Sequence, residues 1–291
     1  MKVFVAGATG VLGRSLVPKL VEAGHLPRVL VRNPARAREL FGNLDVEIAE
    51  GDLLSAGMES ALTDLMSGCD AVIHAATAIP KDFTAPDAWT QNTLLRVRGT
   101  GRLQRAALET GVHTFVQQSI VMAYPDGGDA WLDESTKIDD SPQRREVCQP
   151  VAIMEAIMHL FGRQPRPMRW IVLRCGIFVG PGTFQEGLLQ RIREGKEIVP
   201  ADGSHFVSLV HVDDVANAFV TALERGPAAT TFHINASPMR YGEYVDCMAE
   251  RIGAPRPPRD PNAPKPLSHR ACNKLAEEVL GWKPERSVFP G

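Results

Sequence analysis

The segment Lys2-Val-Phe-Val-Ala-Gly-Ala-Thr-Gly-Val-Leu-Gly13 decides the fold of this chain. Its first five residues are mostly β-branched or aromatic and stop at a glycine, which is typical of a buried strand. Apolar residues then recur at helical spacing until Gly24 ends the segment. Gly7, Gly10 and Gly13 therefore lie in a turn between a strand and a helix, and such a turn predicts a binding site for the phosphates of a dinucleotide.

Outward from this turn, short apolar runs and helical patterns keep alternating. Apolar strands that alternate with helices form a parallel sheet with helices on both faces. The sequence therefore predicts an α/β fold with a Rossmann-type doubly wound parallel sheet. The further predicted strands are Arg28–Arg32, Val46–Ala49, Ala71–Ala75, Thr114–Gln118 and Trp170–Arg174, and the further predicted helices are Met58–Met66, Asp87–Thr110 and Val151–Phe161.

The alternation loosens in the last third of the chain. We predict a dinucleotide-binding Rossmann domain over residues 1–174, to which 206–232 returns, and a smaller substrate-binding lobe formed mainly by 175–291. The Pro-rich stretch Gly253–Ser268 is typical of a solvated linker, and a last amphipathic segment is expected from His269 to Leu280.

Composition excludes several classes of protein. The 291 residues carry 32 Lys+Arg against 34 Asp+Glu and are 44% hydrophobic, which fits neither a disordered chain nor a basic nucleic-acid binder. No run approaches the roughly 18 apolar residues that span a bilayer. The apolar stretch before the glycines is too short for a signal peptide, and the five cysteines form no C-x-x-C. We therefore expect a globular cytoplasmic protein without a metal site. The predicted dinucleotide turn and substrate-binding lobe indicate a small-molecule substrate as partner, rather than nucleic acid or a membrane.

Arginines indicate which nicotinamide cofactor binds. An acidic residue at the end of the second strand would bind the ribose 2′-hydroxyl of NAD, whereas arginine suits the 2′-phosphate of NADP. The chain has Arg32 at this point, Arg36 one helical turn later and Arg14 directly after the glycine turn. The sequence thus favours NADP(H) over NAD(H).

Further motifs resemble those of a known family. They occur in the same order as in the extended short-chain dehydrogenase/reductase family, the NAD-dependent epimerase/dehydratase group, and span almost the whole chain. The motifs are Gly7 to Gly13, Gly51-Asp52-Leu53, His74-Ala75-Ala76, Arg174 to Gly182, Val210 to Ala216 and Leu280-Gly-Trp-Lys-Pro284.

The resemblance implies roles for individual residues. Asp52 is expected at the adenine amino group, Leu53 at its ring, and the backbone of Ala75–Thr77 at the ribose and phosphates, while Cys175 and Phe178 fall beside the nicotinamide. Asp52 could instead cap a turn, and Cys175 and Phe178 could be core residues. Either Asp213 or Asp214 is expected to be the N-cap of the helix that runs to about Leu223. The full set of expected cofactor-binding residues is Gly7, Thr9, Gly10, Val11, Leu12, Gly13, Arg32, Asp52, Leu53, Ala75, Ala76, Thr77, Ser119, Cys175 and Phe178.

The residues on which the family's proton chemistry depends are missing from the pattern. The family uses a Ser or Thr, a Tyr, and a Lys four residues after that Tyr. Counting from Tyr124 and Glu155 places these three positions on Ile120, Val147 and Val151, and none of the three tyrosines is followed by lysine at this spacing. The catalytic residues stay unassigned, with Tyr124 as a candidate proton donor.

Other polar residues border the expected pocket or depart from the family pattern. Arg96 and Val207 stand where relatives carry asparagine and arginine, respectively. Cys148, Glu146 and His205 could border the pocket or be structural. Residues 125–150 form either a mobile lid or a polar surface loop.

Three hypotheses of function follow. The first is an NADP(H)-dependent reductase of a small hydrophobic acceptor, such as a quinone, an activated alkene or an iminium-like centre. The second is a non-catalytic NADP(H)-binding sensor or partner-supporting protein, and the third is a cyclase or lyase that reuses the pocket. The resemblance also implies a homodimer through the helices Asp87–Thr110 and Val151–Phe161.

Overall fold

The computed structural model describes residues 1–80, 82, 85, 87–163 and 168–290. The chain folds as two compact units. The first unit comprises Met1–Ser119, Ile138–Leu173 and Ala216–Thr231, and the second comprises Ile120–Lys137, Arg174–Val215 and Phe232–Gly291. Residues 120–137, which the sequence analysis placed in the first domain, thus belong to the second unit, and the returning segment is 216–231 rather than 206–232.

A seven-stranded parallel sheet forms the centre of an α/β fold. The strands of this sheet are rich in β-branched and apolar residues. They are β1 (Lys2–Ala6), β2 (Leu26–Val31), β3 (Glu47–Glu50), β4 (Ala71–His74), β5 (Thr114–Ile120), β7 (Arg169–Cys175) and β12 (Thr230–Ile234).

Helices and short strands complete the two units. The helices are α1 (Val11–Glu22), α2 (Pro34–Phe41), α3 (Met58–Met66), α4 (Thr90–Leu94), α5 (Thr100–Thr110), α6 (Arg145–His159), α7 (Phe184–Arg193), α8 (Val212–Arg225) and α9 (Tyr241–Arg251). The short strands are β6 (Trp131–Leu132), β8 (Ile177–Val179), β9 (Val199–Pro200), β10 (Phe206–Val207), β11 (Leu209–His211), β13 (Met239–Arg240), β14 (Arg259–Asp260) and β15 (Arg270–Ala271).

The order of the strands creates a crevice in the sheet. The sheet runs β12-β7-β5-β4-β1-β2-β3, so β1 pairs with β2 on one side and with β4 on the other. From β1 the chain proceeds to β2 and β3 on one side, and it then returns to place β4 on the other side of β1. Ligands of open α/β sheets bind outside the carboxyl ends of the strands at such a switch point.

Each unit has its own apolar core. In the first unit, Phe4, Leu62, Phe115 and Phe161 are fully buried in one cluster under the helices. In the second unit, a separate cluster is centred on Tyr244 and the other apolar residues of α7 and α9.

Several predicted elements are confirmed, and others are corrected. The strand at residues 2–6 and the helix at 58–66 have the predicted bounds. The long helix predicted over 87–110 begins at Thr90 and contains a π-helical turn, Leu95–Gly99. Helix α6 begins at Arg145 rather than Val151, so residues 145–150 are not a loop.

The C-terminal predictions also need correction. The expected linker contains β14, which pairs with β9. The expected amphipathic segment His269–Leu280 contains a strand, β15, and a π-helical turn, Ala276–Leu280. Helix α8 begins at Val212, so neither Asp213 nor Asp214 is its N-cap. Instead, the Asp214 carboxylate accepts the backbone amides of Glu285 and Arg286, a long-range contact that local helix patterns do not contain.

Candidate functional site

The glycine turn after β1 is packed so closely that side chains are excluded from it. Gly7 has a φ of +94°, and a Cβ added there would lie 2.5 Å from the carbonyl carbon of Ala75 and the amide nitrogen of Ala76. A Cβ on Gly13 would lie 2.1 Å from the carbonyl oxygen of Ala8. Such distances are far below van der Waals contact, so both positions require glycine.

The N-terminus of α1 is open towards this turn. Gly10 is the N-cap, and no side chain caps the helix. The first amides of a helix lack intrahelical partners and carry a partial positive charge, which suits a phosphate. Thr9 is exposed beside them, Val11 is half-buried and Leu12 is packed into the core. The close backbone approach and the uncapped helix fit the pyrophosphate of a dinucleotide.

The Asp52–Ser55 turn follows β3. One carboxylate oxygen of Asp52 accepts the amide of Leu54 at 2.9 Å, as the turn-capping interpretation predicts. Leu53 is 5% exposed. Arg102 on α5 holds this turn, because its Nη1 donates to the carbonyl oxygens of Leu53 at 2.6 Å and Ser55 at 2.9 Å.

Arg102 was not found by the sequence analysis. Its guanidinium also pairs with Glu59, with 2.7 Å between Nε and Oε1, and the side chain is almost fully buried. It acts across 43 to 49 residues of chain, and nothing in its local sequence indicates such a partner.

The three arginines considered for a 2′-phosphate are all solvent-exposed. Arg32 directly follows β2, and Arg14 lies in the first turn of α1. Arg36 lies in the first turn of α2 and pairs with Glu39 at 3.1 Å, with both side chains more than half exposed. Exposed pairs of this kind contribute about 1 kcal/mol or less, so Arg36 can be redirected towards a ligand.

His74 ties the end of β4 to the π-helical turn. Burial lowers the pKa of His74 to about 4, the hydrogen bond to Leu95 opposes this shift, and the charge of Arg96 adds to it. The ring is therefore neutral at pH 7: Nε2 donates to the carbonyl oxygen of Leu95 at 3.3 Å, and Nδ1 accepts the amide of Ala76 at 3.4 Å. This contact fixes the backbone of the expected Ala75–Thr77 segment, where Ala75 is buried and Thr77 is exposed.

The side chain of Ser119 lies inside the first unit. Its hydroxyl donates to Glu155 Oε1 at 2.6 Å, and both residues are buried. The hydroxyl therefore joins β5 to α6 and is committed to a contact within the unit. In the second unit, Cys175 is fully buried, and Phe178 is half-buried in the β8–β11 pair.

Helix α6 carries two of the three positions to which counting from Tyr124 and Glu155 assigned the triad. Val147 is half-buried and Val151 is fully buried one helical turn later, while the third position, Ile120, is half-buried at the end of β5. Next to α6, the buried guanidinium of Arg96 lies 3.7 Å from Met154 Sδ, measured from Nη1.

The candidate proton donor, Tyr124, belongs to a buried network of the second unit. Its side chain is fully buried, and Arg174 Nη1 donates to its hydroxyl oxygen. His233 Nδ1 faces the carbonyl oxygen of Cys272 at 2.9 Å and so carries the ring proton. The Tyr124 hydroxyl consequently donates to His233 Nε2 at 2.6 Å, and its proton is held inside the unit.

The other residues that could border the pocket are Cys148, Glu146, His205 and the segment 125–150. Cys148 is fully buried, and burial raises the pKa of its thiol, while Glu146 is exposed in the first turn of α6. His205 is stacked on Tyr241, with 5.1 Å between ring centroids. The β6 strand within residues 125–150 pairs with β15.

The described residues contain neither a membrane-spanning helix nor a cluster of metal-binding side chains. None of their helices is both long and apolar enough to cross a membrane. Among the same residues, no three or more His, Cys, Asp or Glu side chains are grouped as a metal ion would require.

Comparison with known proteins gives consistent matches. The model of the NAD dependent epimerase/dehydratase family matches residues 3–235. A 3-diazoavenalumate denitrifying reductase from a Streptomyces species is 30% identical over 98% of this chain and 96% of its own length. A 2-alkyl-3-oxoalkanoate reductase of Stenotrophomonas maltophilia is 27% identical over 88% and 77%, respectively. The structure of MoeE5 in complex with UDP-glucuronic acid and NAD superposes with a TM-score of 0.82, at 22% identity and over 99% of this chain and 95% of the other.

Proposed function

The chain belongs to the NAD-dependent epimerase/dehydratase family, and we propose that it is an NADP(H)-dependent reductase that transfers hydride to a small hydrophobic acceptor without a Tyr-x-x-x-Lys pair. As a member of this family it is an oxidoreductase with an NAD(P)-binding Rossmann fold. In the proposal, the first unit binds the dinucleotide, the second unit contributes to the substrate site, and the protein acts in the cytoplasm.

The observation that carries the proposal is a contrast within the first unit. The turn at Gly7 and Gly13 tolerates no side chain, which supports a bound pyrophosphate. The family's tyrosine and lysine positions, by contrast, fall on Val147 and Val151. A nicotinamide cofactor supplies the hydride. The residues of the chain bind and orient that cofactor, and the aliphatic face of α6 excludes water.

The choice of NADP(H) is supported by charge. Arg14, Arg32 and Arg36 offer three exposed guanidinium groups, and no acidic side chain stands directly after β2. A 2′-phosphate accepts bidentate hydrogen bonds from guanidinium groups.

The absence of a positioned phenol limits the acceptor. A ketone that accepts hydride becomes an alkoxide and needs a proton, and removal of a general acid slows such reactions by a factor on the order of 10² to 10⁴. A cationic iminium or diazonium group becomes neutral when it accepts hydride, so it needs no proton donor. The relative from Streptomyces is named as a reductase of a diazo compound that removes nitrogen. Acceptors of this electronic type therefore fit the proposed site best.

Acceptor screening tests the proposal. Purified protein is incubated with NADPH and with quinones, enones, imines, aryl diazonium salts or simple ketones, while NADPH oxidation is followed and the products are identified by mass spectrometry. We expect hydride transfer, seen as NADPH oxidation with formation of the reduced product, to at least one of the first four classes and slower transfer to ketones. Tight NADPH binding without transfer to any acceptor would replace the reductase hypothesis with the sensor hypothesis.

A matched pair of glycine variants controls for uncatalysed reduction. Gly7→Ala places a methyl group against Ala75, whereas Gly101→Ala, on helix α5, meets no atom within 4 Å. Enzymatic transfer should disappear in the first variant and persist in the second. Equal rates in both would show that the turn is not part of the reaction site.

We also propose that the protein forms a homodimer. Leu108 of α5 is 37% exposed, and Ile153 of α6 and Leu160 beyond it are 39% and 44% exposed. Light scattering should show a dimer for the wild-type protein. Ile153→Glu places a charge in the proposed interface and should shift the protein towards the monomer. A monomeric wild-type protein would contradict this part of the proposal.

A further inference from the structure

Gln118 carries a buried side-chain amide that the proposed function has not used. The residue is 7% exposed, and its Oε1 has no hydrogen-bond partner among the residues that the structure describes. The preceding residue shows that β5 can satisfy a buried glutamine. Gln117 Nε2 donates to the carbonyl oxygen of Gln118 at 2.8 Å, and Gln117 Oε1 accepts the hydroxyl of Thr100 at 3.4 Å. A buried acceptor without a donor is costly, so Gln118 Oε1 requires a donor from a bound molecule.

Gln118 lies at the level of the glycine turn. Strands β4 and β5 pair so that His74 lies beside Gln117, and Ala75 and Gln118 are the next residues along these strands. Ala75 lies against the turn, because its carbonyl carbon is 2.5 Å from the position of a Cβ added to Gly7. Only β4 therefore separates Gln118 from the turn.

The side chain of Gln118 points to the face of the sheet on which α1 lies. Helix α1 connects β1 to β2, and α5 connects β4 to β5 in the opposite direction across the sheet. Right-handed crossovers place these two helices on opposite faces. Gln117 bonds to Thr100 of α5, and successive residues of a strand point to opposite faces. Gln118 and the uncapped N-terminus of α1 thus share one face.

The order of the strands determines which half of a dinucleotide approaches Gln118. In the proposed function, the adenosine half lies towards β2 and β3, because Arg32 and Asp52 come after these strands. The pyrophosphate lies at the turn after β1. Since the order is β5-β4-β1-β2-β3, the nicotinamide half extends across β4 towards β5, the strand that carries Gln118.

We propose that Gln118 Oε1 accepts a hydrogen bond from the carboxamide N–H of the nicotinamide, and that it thereby fixes the orientation of the ring. The proposal rests on the proposed dinucleotide cofactor. The carboxamide nitrogen offers two donors and no acceptor, so it matches an unpaired oxygen. An amide does not titrate, and Gln118 therefore acts as a positioning residue that holds the ring without proton transfer. A site built to accept an N–H rejects an analogue that lacks it, because the acceptor then stays unpaired.

Binding of two cofactors that differ only in the amide tests this contact. The 3-acetylpyridine analogue of NADP⁺ carries a methyl ketone in place of the carboxamide, so it keeps the carbonyl oxygen and lacks the N–H donors. In calorimetry, the wild-type protein should bind NADP⁺ about tenfold more tightly than the analogue. Gln118→Met should bind the two cofactors equally. It should also bind 2′,5′-ADP as the wild type does, since this fragment lacks the nicotinamide.

Gln117→Met is the matched control. It removes the same amide one residue earlier in β5, where Thr100 and the backbone engage it. This variant should keep the preference for NADP⁺ over the analogue. The ratio of the two affinities is measured within each protein, so a general loss of stability does not change it.

Three results would overturn the proposal. They are equal wild-type affinities for NADP⁺ and the analogue, a preference that persists in Gln118→Met, and a loss of the preference in both variants. The first result needs no variant, so the test is decisive even if Gln118→Met does not fold. A protein that prefers NAD⁺ is tested with NAD⁺ and its 3-acetylpyridine analogue. If the wild-type protein bound neither dinucleotide, the proposed function would fail instead, before Gln118 was tested.

Discussion

The glycine turn after β1 and helix α6 differ in the chemistry that their residues permit. At the turn, an added Cβ on Gly7 would lie 2.5 Å from the Ala75 backbone, so the position accepts only glycine. On α6, the one-turn spacing of positions 147 and 151 is kept, but both side chains are aliphatic. Cofactor binding depends on backbone geometry, whereas proton transfer depends on side-chain chemistry. The comparison teaches that a backbone requirement restricts the sequence more tightly than a side-chain requirement does.

The largest expected effect breaks the turn. Gly7→Ala combines a steric clash with a φ of +94°, which alanine rarely adopts, so dinucleotide binding should fall below detection in calorimetry. Gly101→Ala, introduced into α5, should bind as wild type does. Unchanged affinity in Gly7→Ala would show that the close approach of β1 and β4 is not used for binding.

The second prediction introduces Ser, Tyr and Lys at the three positions that counting along the sequence assigned to the triad. The triple variant Ile120→Ser, Val147→Tyr and Val151→Lys supplies a proton donor and should raise ketone reduction by a factor on the order of 10² or more. The measurement is NADPH oxidation with simple ketones. Val147→Phe with the other two changes is the matched control, because it adds the ring without the phenol. Equal rates in the two triple variants would contradict the assigned positions.

The third prediction concerns cofactor choice at the end of β2. Arg32→Ala should weaken NADPH binding about tenfold and leave NADH binding unchanged, because a charged hydrogen bond to phosphate is worth about 1.5–3 kcal/mol before solvent screening. Arg38→Ala changes an exposed arginine on the helix that follows, α2, and serves as the control. Tighter wild-type binding of NADH than of NADPH would contradict the choice of NADP(H).

The smallest effect is a dependence of stability on pH. Burial lowers the pKa of both His74 and His233 to about 4, so the unfolded chain takes up protons before the folded one as the pH falls. The free energy of unfolding should therefore decrease between about pH 6.5 and pH 4, by about 2 kcal/mol for each histidine between pH 7 and pH 5. Urea unfolding of the wild type and of His74→Gln at several pH values measures this dependence. His159 is exposed, and His159→Gln serves as the control. An identical pH dependence in wild type and His74→Gln would exclude His74.

Much of the first unit could be predicted because its signals are local. The strand at residues 2–6 and the helix at 58–66 follow from apolar periodicity within a few residues. The glycine turn is local as well, since its spacing alone indicates a close backbone approach. Helix α6 was predicted to begin six residues too late. Pro150, which lies inside it, has the appearance of a helix breaker, and only the packed helix shows that the proline is accommodated.

The contacts around the site could not be predicted from the sequence. Arg102 reaches the turn at Leu53 from α5, 49 residues away, and Asp214 holds the backbone of Arg286, 72 residues away. Tyr124 was a candidate proton donor on sequence grounds, yet its hydroxyl is held by Arg174 and His233. Such contacts depend on which side chains meet in space, and the local pattern of polar and apolar residues does not encode that.

By itself, the sequence determined the alternation of strands and helices, the glycine turn and the absence of any Tyr-x-x-x-Lys. These are properties of residue type and spacing along the chain. Only the tertiary structure decided that Ser119 is committed to Glu155, that His74 is neutral and that the charge of Arg96 is buried beside α6. Burial and charge–charge interactions depend on distances between segments far apart in the chain, so they exist only once the sheet has brought those segments together.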